Sequence, residues 1–180
     1  MSRVLIIGCG NPLRGDDGLA WQALAQLKRW PGLETTDIEM ISCHQLTPEL
    51  AEPISAADRV IFIDARVGET PGRVDLHRVE SSAPTRSSLS HHLDPPALLD
   101  FAGGLYGRRP EAFAASVGVE SLGYGEELSG SVRASLDFLL RRVVELVSGG
   151  EGSGAEAPVT HKRPATFAGG EPVCGFEKDS

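Results

Sequence analysis

Two short apolar runs constrain this chain more than any other feature. Arg3-Val4-Leu5-Ile6-Ile7-Gly8 and Arg59-Val60-Ile61-Phe62-Ile63-Asp64 are continuous rather than alternating, as strands covered on both faces of a parallel sheet must be. Between them lies a helix pattern, with Leu19, Ala20, Ala23, Leu24 and Leu27 at helical spacing and Pro31-Gly32 as the stop. A further strand is predicted from Ile38 to Ser42. Thr47-Pro48-Glu49-Leu50 then reads as an N-cap, a proline in the first turn and an acid at the positive end of the helix dipole.

The second half continues the alternation. Arg73 to Val79 suits an edge or antiparallel strand, Asp94-Pro95 opens a helix through Leu98, Leu99 and Ala102, and Ala112 to Val119 supplies a last strand. Val132, Leu136, Leu139, Leu140, Val143 and Val147 form the clearest amphipathic stripe, with Ser129 as its expected cap. The order predicts a single α/β domain over residues 1–148: a twisted, mostly parallel sheet flanked by helices on both faces, of the phosphorylase/hydrolase-like kind. Residues 149–180 hold seven Gly and three Pro with no periodic apolar set. Such a segment buries too little surface to offset its ordering entropy, and a flexible tail is expected.

Composition excludes several classes of function. With 17 Lys+Arg against 25 Asp+Glu the net charge is −8, and no basic block could neutralise nucleic-acid phosphates or an anionic membrane. No stretch approaches the ~20 apolar residues needed to cross a bilayer, so no membrane insertion is expected. Cys9, Cys43 and Cys174 are odd in number and form no C-x-x-C pair, which argues against a disulfide framework. A reducing, cytoplasmic setting is the expectation.

In parallel α/β sheets ligands bind outside the carboxyl ends of the strands, so the residues just past each strand are the candidates. Past the first strand, Gly8 to Gly18 resembles a dinucleotide loop only superficially. The third glycine position holds Leu13, and the carboxylates of Asp16-Asp17 would repel a phosphate. They would attract a cation, or simply cap the following helix. Asp64 ends another strand, Ser90-His91-His92-Leu93-Asp94-Pro95 puts two histidines ahead of a helix, and Cys43-His44-Gln45-Leu46-Thr47 follows the second strand. Alone, each has a bland reading as cap, turn or solvated side chain. Together, two carboxylates and an imidazole on one rim make an incomplete coordination shell, compatible with nickel, zinc, manganese or iron.

Those residues also resemble a known family. Gly8-x-Gly10-Asn11-x-Leu13-x-x-Asp16-Asp17-Gly18, the strand ending in Asp64-Ala65, and Ser90-His91 followed by Pro95 and Leu98-Leu99 are similar to the hydrogenase maturation proteases. Gln45-Leu46-Thr47-Pro48-Glu49-Leu50 and Gly125-Glu126-Glu127-Leu128-Ser129 extend the likeness, which runs from Arg3 to about Val147. The resemblance implies an endopeptidase that removes a C-terminal extension from the large-subunit precursor of a nickel-iron hydrogenase once nickel is in place. It implies Asp17, Asp64 and His91 as the metal-contacting and catalytic residues, with Asp16 the alternative acid and His92 the alternative histidine. The nickel would be the precursor's own rather than a stored cofactor.

How the peptide bond is cut is less constrained. There is no G-x-S-x-G, no H-E-x-x-H, and no His and Asn framework for Cys9. That leaves an aspartyl-type or metal-dependent hydrolysis, in which metal polarises the carbonyl or acidifies a water and Asp16 or Asp17 acts as base. Two other readings stand beside it: a non-catalytic nickel-recognition scaffold for hydrogenase assembly, and a nucleotide-binding α/β protein. Gln45 is a candidate contact for the loop or an incoming peptide, and Trp21 is expected to pack rather than bind.

Overall fold

Strands β1 (Val4–Cys9), β2 (Ile38–Cys43), β3 (Arg59–Arg66), β4 (Val74–Arg78) and β5 (Glu111–Gly118) form one sheet in the order β2-β1-β3-β5-β4. The computed structural model describes residues 2–33, 36–80, 93–120 and 122–150. His91, His92 and the predicted tail beyond residue 150 lie outside the described residues. All neighbouring pairs are parallel except β4 with β5, so the segment expected at an edge is an antiparallel edge strand.

Both faces of the sheet are covered, and the strand pleat divides the apolar residues between them. Val4 and Ile6 of β1, with Ile61 and Ile63 of β3, pack against α1 (Leu19–Leu27) and α4 (Gly130–Val147). Leu5 and Ile7, with Val60 and Phe62, pack against α2 (Ala51–Ala56) and α3 (Pro95–Tyr106). This two-sided burial is why the runs are continuous in sequence: both parities of each strand lie in a core. The stripe of α4 is the largest helical contribution, with Val132, Leu139, Leu140 and Val143 fully buried.

Local signals explain most element boundaries. Asp94 caps α3 by accepting the Ala97 amide at 2.9 Å, Pro95 fills the first turn, and Gly107 at φ +70° closes the helix through its amide on the Gly103 carbonyl. The Thr47-Pro48 signal begins with a 3-10 turn, Pro48–Leu50, before α2, and the Thr47 side chain makes no capping bond to it. Ser129 precedes α4 as expected but does not cap it; its hydroxyl is used elsewhere.

At the N-terminal edge of the sheet the charges are internally satisfied. Arg59 pairs with Glu111, donates to the Leu146 carbonyl, and lies 5.3 Å from the centroid of the Phe113 ring. At the opposite edge, carboxylates meet one another.

Candidate active site

Strand order locates the site. From β1 the chain moves outward to β2 on one side and to β3 on the other, so the rim between β1 and β3 is the topological switch point of the sheet. The pairing of Gly8 with Ile63 puts the next residues, Cys9 and Asp64, level at that rim. Asp17 follows β1 within a 3-10 turn, Gly15–Gly18, that leads directly into α1. Two acids separated by 47 positions in sequence thus come together, one from the loop that follows β1 and one from the adjacent strand β3.

The two aspartates of the first loop do different work. Asp16 is 1% exposed, and its carboxylate accepts the Ser129 amide at 2.6 Å, the Ser129 hydroxyl at 2.9 Å and the Glu120 amide at 3.1 Å. These bonds tie the loop to the segment before α4. Further bonds reinforce the tie: the Gly15 amide donates to the Gly125 carbonyl at 2.6 Å, the Gly125 amide to the Leu13 carbonyl at 3.0 Å, and the Gln22 side chain to the Glu126 carbonyl at 3.2 Å. Asp17 is half-buried and accepts the Asn11 amide at 2.9 Å, which holds it over the loop. Its charge acts on both Asp64 and Cys9.

Asp64 carries the electrostatic signature of the site. Water reaches the residue, but protein crowds the concavity around its carboxyl; that desolvation pushes it up to about 6, with the Asp17 charge adding to the rise. The Ala65 amide at 2.8 Å and Arg66 pull the other way. A cavity of about 290 Å³ opens beside it, walled by Cys9, His44, Gln45, Leu46, Phe62 and the Leu93–Pro95 segment.

Four residues given lesser weight in sequence belong to this rim. Trp21 donates its indole N–H to the Gly10 carbonyl at 2.8 Å and meets the His44 ring at 5.7 Å between centroids, so it clamps the first loop to the end of β2. His44 itself lines the cavity. Cys9 and Cys43 are directly paired across β1 and β2, and the Cys43 thiol donates to the Gly8 carbonyl at 3.8 Å. Proximity of the Cys43 thiol, burial and the nearby negative charges push the Cys9 thiol well above the ordinary range, whereas the Cys9 thiol lowers Cys43. None of these contacts has a local sequence signal, since each joins separate strands or loops.

Gly10 is the tightest point of the loop. It has φ +141°, and a Cβ there would lie 2.1 Å from the Asp17 carbonyl oxygen. Gly10→Ala is expected to strain the loop by roughly 1–3 kcal/mol and displace Asp17, which a lowered melting temperature and a changed Asp17 environment in NMR would report. An unchanged melt would remove the close-approach argument.

Among the described residues, no three His, Cys, Asp or Glu side chains gather closely enough to hold a metal ion, and no helix is long and apolar enough to cross a membrane. Asp17 and Asp64 form an acidic pair with open space beside it rather than a closed cage. Carboxylates so placed can take a cation that arrives with other ligands, or a proton from a water.

No family model matches the chain, and no curated protein matches it. Solved structures do. The hydrogenase maturating endopeptidase HybD of E. coli superposes with a TM-score of 0.64 at 22% identity, over 86% of this chain and 97% of that one. The [NiFe] hydrogenase maturation protease HycI of Thermococcus kodakarensis KOD1 gives 0.63 at 22% identity, over 82% and 93%. The hydrogenase 2 maturation peptidase of Thaumarchaeota archaeon SCGC_AB-539-E09 gives 0.60 at 27% identity, over 83% and 99%. The chain has the fold of the hydrogenase maturation proteases, spanning nearly their whole length.

Proposed function

We propose that this chain is a hydrogenase maturation endopeptidase, which removes the C-terminal extension of a nickel-iron hydrogenase large-subunit precursor after nickel insertion. The observation that carries the reading is the meeting of Asp17 and Asp64 at the β1/β3 switch point, beside an open cavity, in a fold whose solved relatives bear that name. Nickel is here part of the substrate. The precursor presents an ion with incomplete coordination; Asp17, Asp64 and His91 supply the missing ligands, and the scissile segment is thereby held against the rim.

Such a device tests its substrate by binding energy. Without nickel the acids gain no ligand bond and repel each other, so precursor that is not yet loaded is left uncut. Gly10, Asn11 and Trp21 keep Asp17 in place, and the Asp16 bonds to Ser129 and Glu120 keep the whole loop in place. A carboxyl raised toward neutrality at Asp64 is suited to exchange a proton for a metal or to accept one from an attacking water near neutral pH.

The test is a processing assay with purified precursor, with and without nickel. The expected result is shortening of the nickel-loaded form alone, read as a mobility or mass change. Stable association without shortening would point instead to a scaffold, and equal cleavage of both forms would sink the nickel checkpoint.

A further inference from the structure

We propose that Cys9 and Cys43 form a reversible modification site, a cross-strand dithiol that a low-molecular-weight disulfide converts to an intramolecular disulfide beside the acidic pair. The register carries the inference. The two residues are direct partners at the last position of the parallel β1–β2 ladder. Neighbouring strands lie about 4.7–4.9 Å apart, inside the ~4.4–6.8 Å Cα window that a disulfide requires. Directly paired residues also project on the same side of the sheet, and the Cys43 thiol donates to the carbonyl of Gly8, the residue before Cys9, at 3.8 Å, so its sulfur is turned toward β1.

Position makes the pair reactive rather than merely adjacent. Both thiols are free and half-buried. Cys9 forms part of the wall of the 290 Å³ cavity, which gives a small disulfide a way in. Beyond this pair the ladder continues only through the Gly10 amide on the Cys43 carbonyl at 3.0 Å, so the strand ends can shift to close the bond. Direct parallel pairing leaves the Cβ atoms farther apart than an unstrained disulfide prefers, and strain makes the bond readily reduced again. In the interior of the sheet the same pair would be locked; at its rim it can open and close.

The step balances as thiol–disulfide exchange. One protein thiolate attacks the small disulfide, forms a mixed disulfide and expels one small thiolate. The second protein thiol, giving its proton to solvent, attacks the protein sulfur of that mixed disulfide and expels the other. Two protein thiols are oxidised and one small disulfide is reduced to two thiols. Closure acts on the loop of the site, because Gly10 follows Cys9 and lies against Asp17. The inference does not depend on the protease reading.

The experiment treats the full-length chain with glutathione at varied reduced-to-oxidised ratio, quenches with acid, alkylates free thiols and maps peptides without reduction. The expected result is loss of the mass of two hydrogens from the intact protein, a linked peptide pair containing Cys9 and Cys43, and full recovery with dithiothreitol. Cys43→Ser should lose the linked pair and leave Cys9 reduced or glutathionylated. Mapping of the unaltered chain decides the matter even if that variant does not fold. Cys9 and Cys43 both alkylated under oxidising conditions, each separately glutathionylated, or either one joined to Cys174 would overturn the proposal.

Discussion

Asp64→Asn is expected to cut processing of nickel-loaded precursor by at least about 10–100-fold, the loss that even the outer partners of a metal site produce, while making the protein more heat-stable at neutral pH. The second half follows from linkage. Crowding and Asp17 raise the folded carboxyl to about 6 against an ordinary value of 3.8. Between those values the folded protein keeps a proton that the unfolded chain has lost, so stability falls as pH rises through the window. Above about pH 6 the fold carries the full electrostatic cost of the charge. Asparagine is never charged and escapes that cost, so the melting temperature of the variant should exceed that of the parent at pH 7–8. The gain should fade as pH falls below 3.8, where both side chains are neutral in both states. A variant that processes normally would remove Asp64 from the mechanism; one that is inactive and no more stable at neutral pH would contradict the electrostatic account.

The largest effect on stability is expected one position before the other acid. Asp16→Ala removes a buried carboxylate and, with it, the bonds from the half-buried Ser129 amide and hydroxyl and from the Glu120 amide. Hydrogen bonds to a charged group contribute about 1.5–3 kcal/mol each, and water reaching the half-buried donors offsets part of the loss. Denaturant titration should therefore show a loss in that range, accompanied by loss of activity through the displaced loop. Asp17→Ala, by contrast, removes a half-buried side chain whose one described bond is to the Asn11 amide, so it should abolish processing with little change in stability. If the two variants behaved alike in the melt, the division of labour between neighbouring acids would be wrong.

That division marks the limit of what the linear sequence conveys. The parallel sheet was legible because burial on both faces leaves a continuous apolar run, visible in Val4 to Ile7 and Val60 to Ile63. The candidate positions Asp17 and Asp64 were legible because strand ends are where such sheets bind, and residue resemblance pointed to the same places. The separate roles of Asp16 and Asp17 were not. What sets Asp16 apart is Ser129, 113 residues away, and no local pattern encodes such a partner. The same reason explains Ser129 itself: its position before a helix predicted a cap, but its side chain is turned to donate to the distant Asp16 carboxylate, and its oxygen accepts no helix amide. Cys9 and Cys43, read singly as a cysteine without a catalytic framework and as part of a turn, become a pair only once the β1–β2 register is known.

The long reach of Asp16 also sets a timetable. A loop fastened to residues 120, 125 and 129 cannot close until the polypeptide has been made through that point and α4 has begun to dock. Contacts of such separation form late, because the entropy of closing the intervening loop must be overcome first. During synthesis, the acidic pair of an unfinished chain is therefore unassembled, and a copy truncated before Ser129 carries both acids but not the geometry. The full set of bonds that hold the first loop is available only once the chain extends through Ser129.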